Sequence, residues 1–143
     1  MQFMALVRAT KDTEAGVLPS EAELTAMGKF NEEMVKAGIM IGANGLQPSS
    51  NGARVKITSD SRTVVDGPFA EAKELIAGYW ILDVKSKEEA IQWMKRAPAP
   101  ANGVFEIEIR KVFEADDFGE ALTPELRAQE ERMAAEMAAR QQK

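Results

Sequence analysis

From Phe3 to Ala9 apolar residues fill both alternating sets of positions, with Arg8 the one charge among them. That is the pattern of a strand covered on both faces. After Pro19, the run Ser20-Glu21-Ala22-Glu23 has capping-box spacing, in which the serine hydroxyl accepts from the amide of Glu23 and the Glu23 carboxylate reaches back. Leu24, Met27, Phe30, Met34 and Val35 then recur at helical intervals, and Gly38 supplies a left-handed stop. Together they predict a helix over 21–37. Residues 39–46 read as a short strand whose Gly42 and Gly45 suit a bulge or a close backbone approach, and residues 47–52 as a loop.

Around the turn Ser59-Asp60-Ser61, residues 53–58 and 62–65 alternate β-branched side chains with charges, which predicts a hairpin with one wet face at the edge of a sheet. The turn Asp66-Gly67-Pro68-Phe69 leads into a short helical stretch, 70–75, and a strand, 76–84. In that strand Gly78, Trp80, Leu82 and Val84 share one side, and Ala77, Tyr79 and Ile81 the other. Ser86-Lys87-Glu88-Glu89 repeats the capping-box spacing and opens a helix with Ala90, Ile91 and Met94 inward, which Pro98 and Pro100 end. The last strand, 104–113, alternates Phe105, Ile107 and Ile109 with Glu106, Glu108 and Arg110.

Residues 3–46 and 76–113 are thus each strand, capped helix, strand, an internal pseudo-repeat. Two such right-handed units joined in sequence predict an α+β fold, a ferredoxin-like split β-α-β sandwich with an inserted hairpin and both helices on one face of an antiparallel sheet. The uncovered face then carries residues such as Met4, Leu6, Tyr79 and Ile81, or the alternate set if the two faces are exchanged. Burying a large apolar side chain contributes roughly 1.5–3 kcal/mol, so a second copy of the sheet is the expected cover, and a homodimer the expected assembly. Thr123-Pro124-Glu125 begins a further helix of roughly 30 Å, with Leu126, Met133 and Met137 as a thin apolar stripe. It can lie across its own domain, clasp a partner or fray.

Composition narrows the chemistry. The 143 residues suit a single core, and their net charge of -5 disfavours nucleic acid and anionic membranes. The sequence holds no bilayer-length apolar run and no leader pattern before residue 9, so the expectation is a cytoplasmic chain without membrane contact. Cysteine and histidine are both absent, which removes disulfides, thiolate nucleophiles, the commonest zinc ligands and the side chain that titrates nearest neutrality. No metal site and no cofactor is expected. Asp116, Asp117 and Glu120 have the wrong spacing for an EF-hand loop and read as a solvated acidic linker.

The run Asp66-Gly67-Pro68-Phe69-Ala70-Glu71-Ala72-Lys73-Glu74, followed by Gly78-Tyr79-Trp80, resembles the signature of the YCII-related family and in particular its DGPF branch. Gly45-Leu46-Gln47-Pro48 and Ala90-Ile91 extend the likeness across about residues 1–113, leaving 114–143 as an acidic linker and helical extension. The resemblance implies a ferredoxin-like subunit and a dimeric α+β barrel with a cleft. It implies no particular reaction. Members of the branch are often encoded beside alternative sigma factors, a link to regulation or stress. Elsewhere in the family a histidine and an aspartate are the proposed acid/base or phosphorylatable dyad. Asp66 matches the aspartate, but this chain has no histidine.

The candidate site residues are Arg8, Asn44, Asp66, Lys73 and Tyr79, with Asp66 the candidate catalytic group. Arg8 and Asn44 are polar where packing alone calls for apolar residues, and Lys73 can reach an anion. Tyr79 carries a hydroxyl that needs a partner, and Trp80 reads as core. A plainer role for Asp66 is that of a turn cap accepting from the amides of Phe69 and Ala70. A dimeric small-molecule-binding or regulatory protein asks least of these residues. An isomerase, lyase or cofactor-free oxygenase using Asp66, and a protein-interaction module using the C-terminal helix, are the alternatives.

Overall fold

The computed structural model describes residues 1–141, and the chain divides into two compact units, Met1–Lys111 and Val112–Lys143. In the first unit, strands β1 (Gln2–Arg8), β2 (Met40–Gly45), β5 (Ile76–Asp83) and β6 (Ile107–Lys111) form an antiparallel sheet in the order β2-β5-β1-β6. Helices α2 (Glu21–Lys36) and α3 (Lys87–Met94) cover one face. This mixed α+β arrangement is compatible with the ferredoxin-like expectation.

Alternation along the strands explains which residues meet the helices. Phe3 and Ala5 of β1 and Trp80 and Leu82 of β5 are buried against Phe30 and Met34 of α2 and Ala90 and Met94 of α3. The side chains between them, Met4, Leu6, Tyr79 and Ile81, turn to the opposite face and are only half-buried. A register shift between Met40 and Gly42 is the bulge that the glycine-containing strand anticipates.

The ends of α2 follow from single residues. The Ser20 hydroxyl accepts from the Glu23 amide at 3.1 Å and the Glu23 carboxylate accepts from the Ser20 amide at 3.4 Å. At the far end Gly38 adopts φ 73°, its amide donating to the Val35 carbonyl while that of Ile39 donates to Met34. This is the Schellman pattern, and it carries Ile39 into the core beside Met34.

Several local expectations are corrected. Strands β3 (Ala53–Ile57) and β4 (Arg62–Asp66) pair with each other alone, as a separate two-stranded sheet and not at an edge of the main one. Every residue of both strands is exposed, so neither face is dry. The helical stretch expected over 70–75 is a single 3-10 turn, Ala72–Glu74. At α3 the box is one-sided: Ser86 accepts from the Glu89 amide, but the Glu89 carboxylate takes the amide of Lys85. That helix already ends at Met94, before either proline, and the last strand is only the 107–111 portion of its apolar alternation. A short helix α1 (Lys11–Glu14), capped by Thr10, was not anticipated.

In the second unit a 3-10 segment, Ala115–Ala121, precedes helix α4 (Pro124–Gln141). Thr123 caps α4 by accepting from the Leu126 amide at 3.2 Å. Phe113 and Phe118 stack with centroids 4.9 Å apart, and Asp116 pairs with Arg127 at 3.0 Å. The acidic stretch is therefore a folded turn. Leu126, Met133 and Met137 are exposed.

Candidate functional site

A cleft of about 610 Å³ opens at the end of the sheet where β1 finishes and β5 begins. Its size lies within the usual range of small-molecule pockets, roughly 300–1,000 Å³. Val7, Ala43 and Gly78 come to it from the strands, Leu24, Met27 and Asn31 from α2, and Val104 and Phe105 from the segment before β6. Thr10, Asp12 and Thr13 join from the region of α1. The expected α2 stripe thus divides by depth: Phe30 and Met34 belong to the core, Met27 is half-buried, and Leu24 is exposed in the cleft lining.

Trp80 lies where core and cleft meet. Its ring is buried edge-on against Phe30, with centroids 6.0 Å apart, and its indole N–H donates to Asn31 Oδ1 at 2.8 Å. Beside it, Gly78 keeps β5 close to β2. A Cβ at that position would stand 3.0 Å from the Asn44 carbonyl oxygen.

Arg8, Asn44 and Tyr79 all contribute to the cleft lining, but strand alternation carries their side chains toward the face away from the helices. Leu6 is the cross-strand partner of both Tyr79 and Glu108 and so shares their face. Tyr79 is in turn opposite Asn44, whose Nδ2 donates to the phenol oxygen at 3.1 Å. The Arg8 guanidinium donates to the Lys73 carbonyl and pairs with Glu108 at 3.5 Å.

Asp66 and Lys73 do not line the cleft. Asp66 ends β4 opposite Ala53. Its expected cap is replaced: the Phe69 amide donates to Ser49 Oγ at 3.0 Å. Ser49 Oγ also donates to Glu14 Oε2 at 2.5 Å, and the Ser49 amide donates to Glu14 Oε1 at 3.0 Å. A Cβ on Gly67 would lie 1.7 Å from the Ser49 carbonyl oxygen, so that glycine is required by the close approach of the two loops. Arg54 lies over the Phe69 ring at 3.8 Å. The residues 66–69 therefore form a clasp joining the hairpin, the 49–51 turn and α1.

Among the described residues no three His, Cys, Asp or Glu side chains converge as a metal site would require, and no helix is long and apolar enough to cross a membrane. A family model of the YCII-related domain matches residues 1–116. The chain belongs to the YCII-related family. Asp66-Gly67-Pro68-Phe69 is compatible with its DGPF branch. An uncharacterized protein of Rhizobium meliloti (strain 1021), R00369, is 27% identical over 89 residues, which is 61% of this chain and 72% of that protein. The YCII-related match covers the sheet, both covering helices and the clasp.

Sequence reasoning missed Asn31, Ser49 and Glu14. Asn31 is a polar residue directly after Phe30 in the helical stripe, and that placement is the signal that could have singled it out. Nothing local in the sequence pairs Glu14 with Ser49, 35 residues apart.

Proposed function

We propose that this YCII-related protein is a homodimeric small-molecule-binding protein of regulatory type, its subunit ferredoxin-like and its dimer an α+β barrel. The observation that carries the binding role is the cleft of about 610 Å³, apolar for the most part and edged by a few polar groups, as ligand sites usually are. Two features support the dimer. Met4, Leu6, Tyr79 and Ile81 make an apolar centre on the face away from the helices, and Arg8 at the end of β1 with Glu108 and Arg110 of β6 makes a charged border. A second copy of that face covers the apolar centre and leaves the charges at the rim.

The enzymatic alternative has less support. Asp66 is outside the cleft of its own subunit and has no histidine beside it. The direct test is native mass spectrometry of the protein as purified. A dimer carrying a small extra mass per chain is the expected result, and a monomer with no bound mass would overturn both parts of the proposal.

A further inference from the structure

We infer that the cleft selects a non-anionic, largely apolar molecule bearing a hydrogen-bond acceptor such as a carbonyl, and that Asn31 is the residue that recognises the acceptor. This rests on the reading of the cleft as a ligand site and adds the ligand's chemical class. The Asn31 carboxamide is divided between two tasks. Its Oδ1 is held by the Trp80 indole at 2.8 Å, which fixes the side chain's orientation. Its Nδ2 has no partner among the described residues. No side-chain nitrogen or oxygen among them is sealed off from solvent without a partner, so this donor is reachable, and Asn31 is part of the cleft lining. The surroundings are Val7, Met27, Trp80 and Phe105, which favour an apolar body against that donor.

Charge points the same way. Three charged residues line the cleft: Arg8, Asp12 and Glu23. Arg8 is engaged with the Lys73 carbonyl and the Glu108 carboxylate, and Glu23 closes the cap of α2 with Ser20. Among the described residues neither the Asp12 nor the Glu23 carboxylate is paired with a cation, and both repel an anion.

The test compares two naphthalene probes on the full-length protein at neutral pH: prodan, neutral with a ketone acceptor, and anilinonaphthalene sulfonate, anionic. Prodan is expected to bind saturably, with a shift of the Trp80 indole N–H resonance, and the anionic probe at least about tenfold more weakly. Asn31→Asp keeps an acceptor for the indole and removes the donor, and is expected to weaken prodan by about tenfold. An anionic probe that binds as tightly as prodan overturns the ligand class, whether or not the variant folds. A folded Asn31→Asp with unchanged prodan affinity overturns the role of Asn31. Saturable binding of neither probe removes the binding reading itself.

Discussion

Ser49 ties three segments together through one hydroxyl and one amide, and substitutions at this clasp should therefore be felt well beyond the 49–51 turn. Ser49→Ala removes the Oγ bonds to Glu14 and to the Phe69 amide and is expected to lower stability by about 1–3 kcal/mol in urea unfolding. Gly67→Ala is expected to be at least as damaging, because the added Cβ meets a backbone carbonyl that cannot swing aside as a flexible side chain would. Asn31 allows a sharper comparison. Asn31→Ala leaves the part-buried indole N–H without its acceptor and should cost about 1–3 kcal/mol, whereas Asn31→Asp, which keeps the acceptor, should cost less. Thermal melts of the two variants side by side provide the check. Legibility at this scale was partial. The alternation along 76–84 set Trp80 on one side with Gly78, Leu82 and Val84, and Trp80 is buried as the expected core residue while also lining the cleft. Asp66 was expected to cap its own turn, but Ser49, distant in sequence, takes that amide.

Elements with a strong period and explicit end signals were legible, and α2 is the clearest case. Its Ser20 box and its Gly38 stop are observed, and of its stripe Phe30 and Met34 are buried and Met27 half-buried, whereas Leu24 and Val35 stay exposed. Each end carries a measurable share of the helix's stability. Ser20→Ala is expected to lower stability by about 0.5–2 kcal/mol. Gly38→Ala should cost about 1–2 kcal/mol, because an L side chain is strained at φ 73°. Chemical denaturation of both variants, with unchanged far-ultraviolet circular dichroism at low denaturant, tests this. Elements that depend on distant contacts were less legible. The hairpin's strands were legible, but not its separation from the main sheet, because strand alternation records a pleat and not the neighbour it faces. The capping box expected at Ser86 lost its return bond to the competing amide of Lys85, a choice among nearby donors that spacing does not encode.

At the scale of the whole molecule, the proposed pairing through the open sheet face has a selective test. Ile81 points away from the helices and stands opposite Gly42, which has no side chain to meet it. Ile81→Glu is expected to leave the subunit folded and to convert the dimer to monomer in analytical ultracentrifugation, because a carboxylate at the centre of an apolar interface would be buried without a partner. A variant that stays fully dimeric would place the contact elsewhere.

The sequence by itself determined the strand–helix–strand pseudo-repeat, both N-terminal serine caps, the glycine stop of α2 and the two faces of β5. Each is a local matter of side-chain period or of hydrogen bonds within a few residues. Only the tertiary structure decided that Arg8, Asn44 and Tyr79 turn their side chains away from the helices and that Asp66 and Lys73 lie outside the cleft. It also brought Asn31 to Trp80 and Ser49 to both Glu14 and Phe69. These pairings join residues far apart in the chain, and their geometry exists only once the sheet has set its register and the loops have closed on one another.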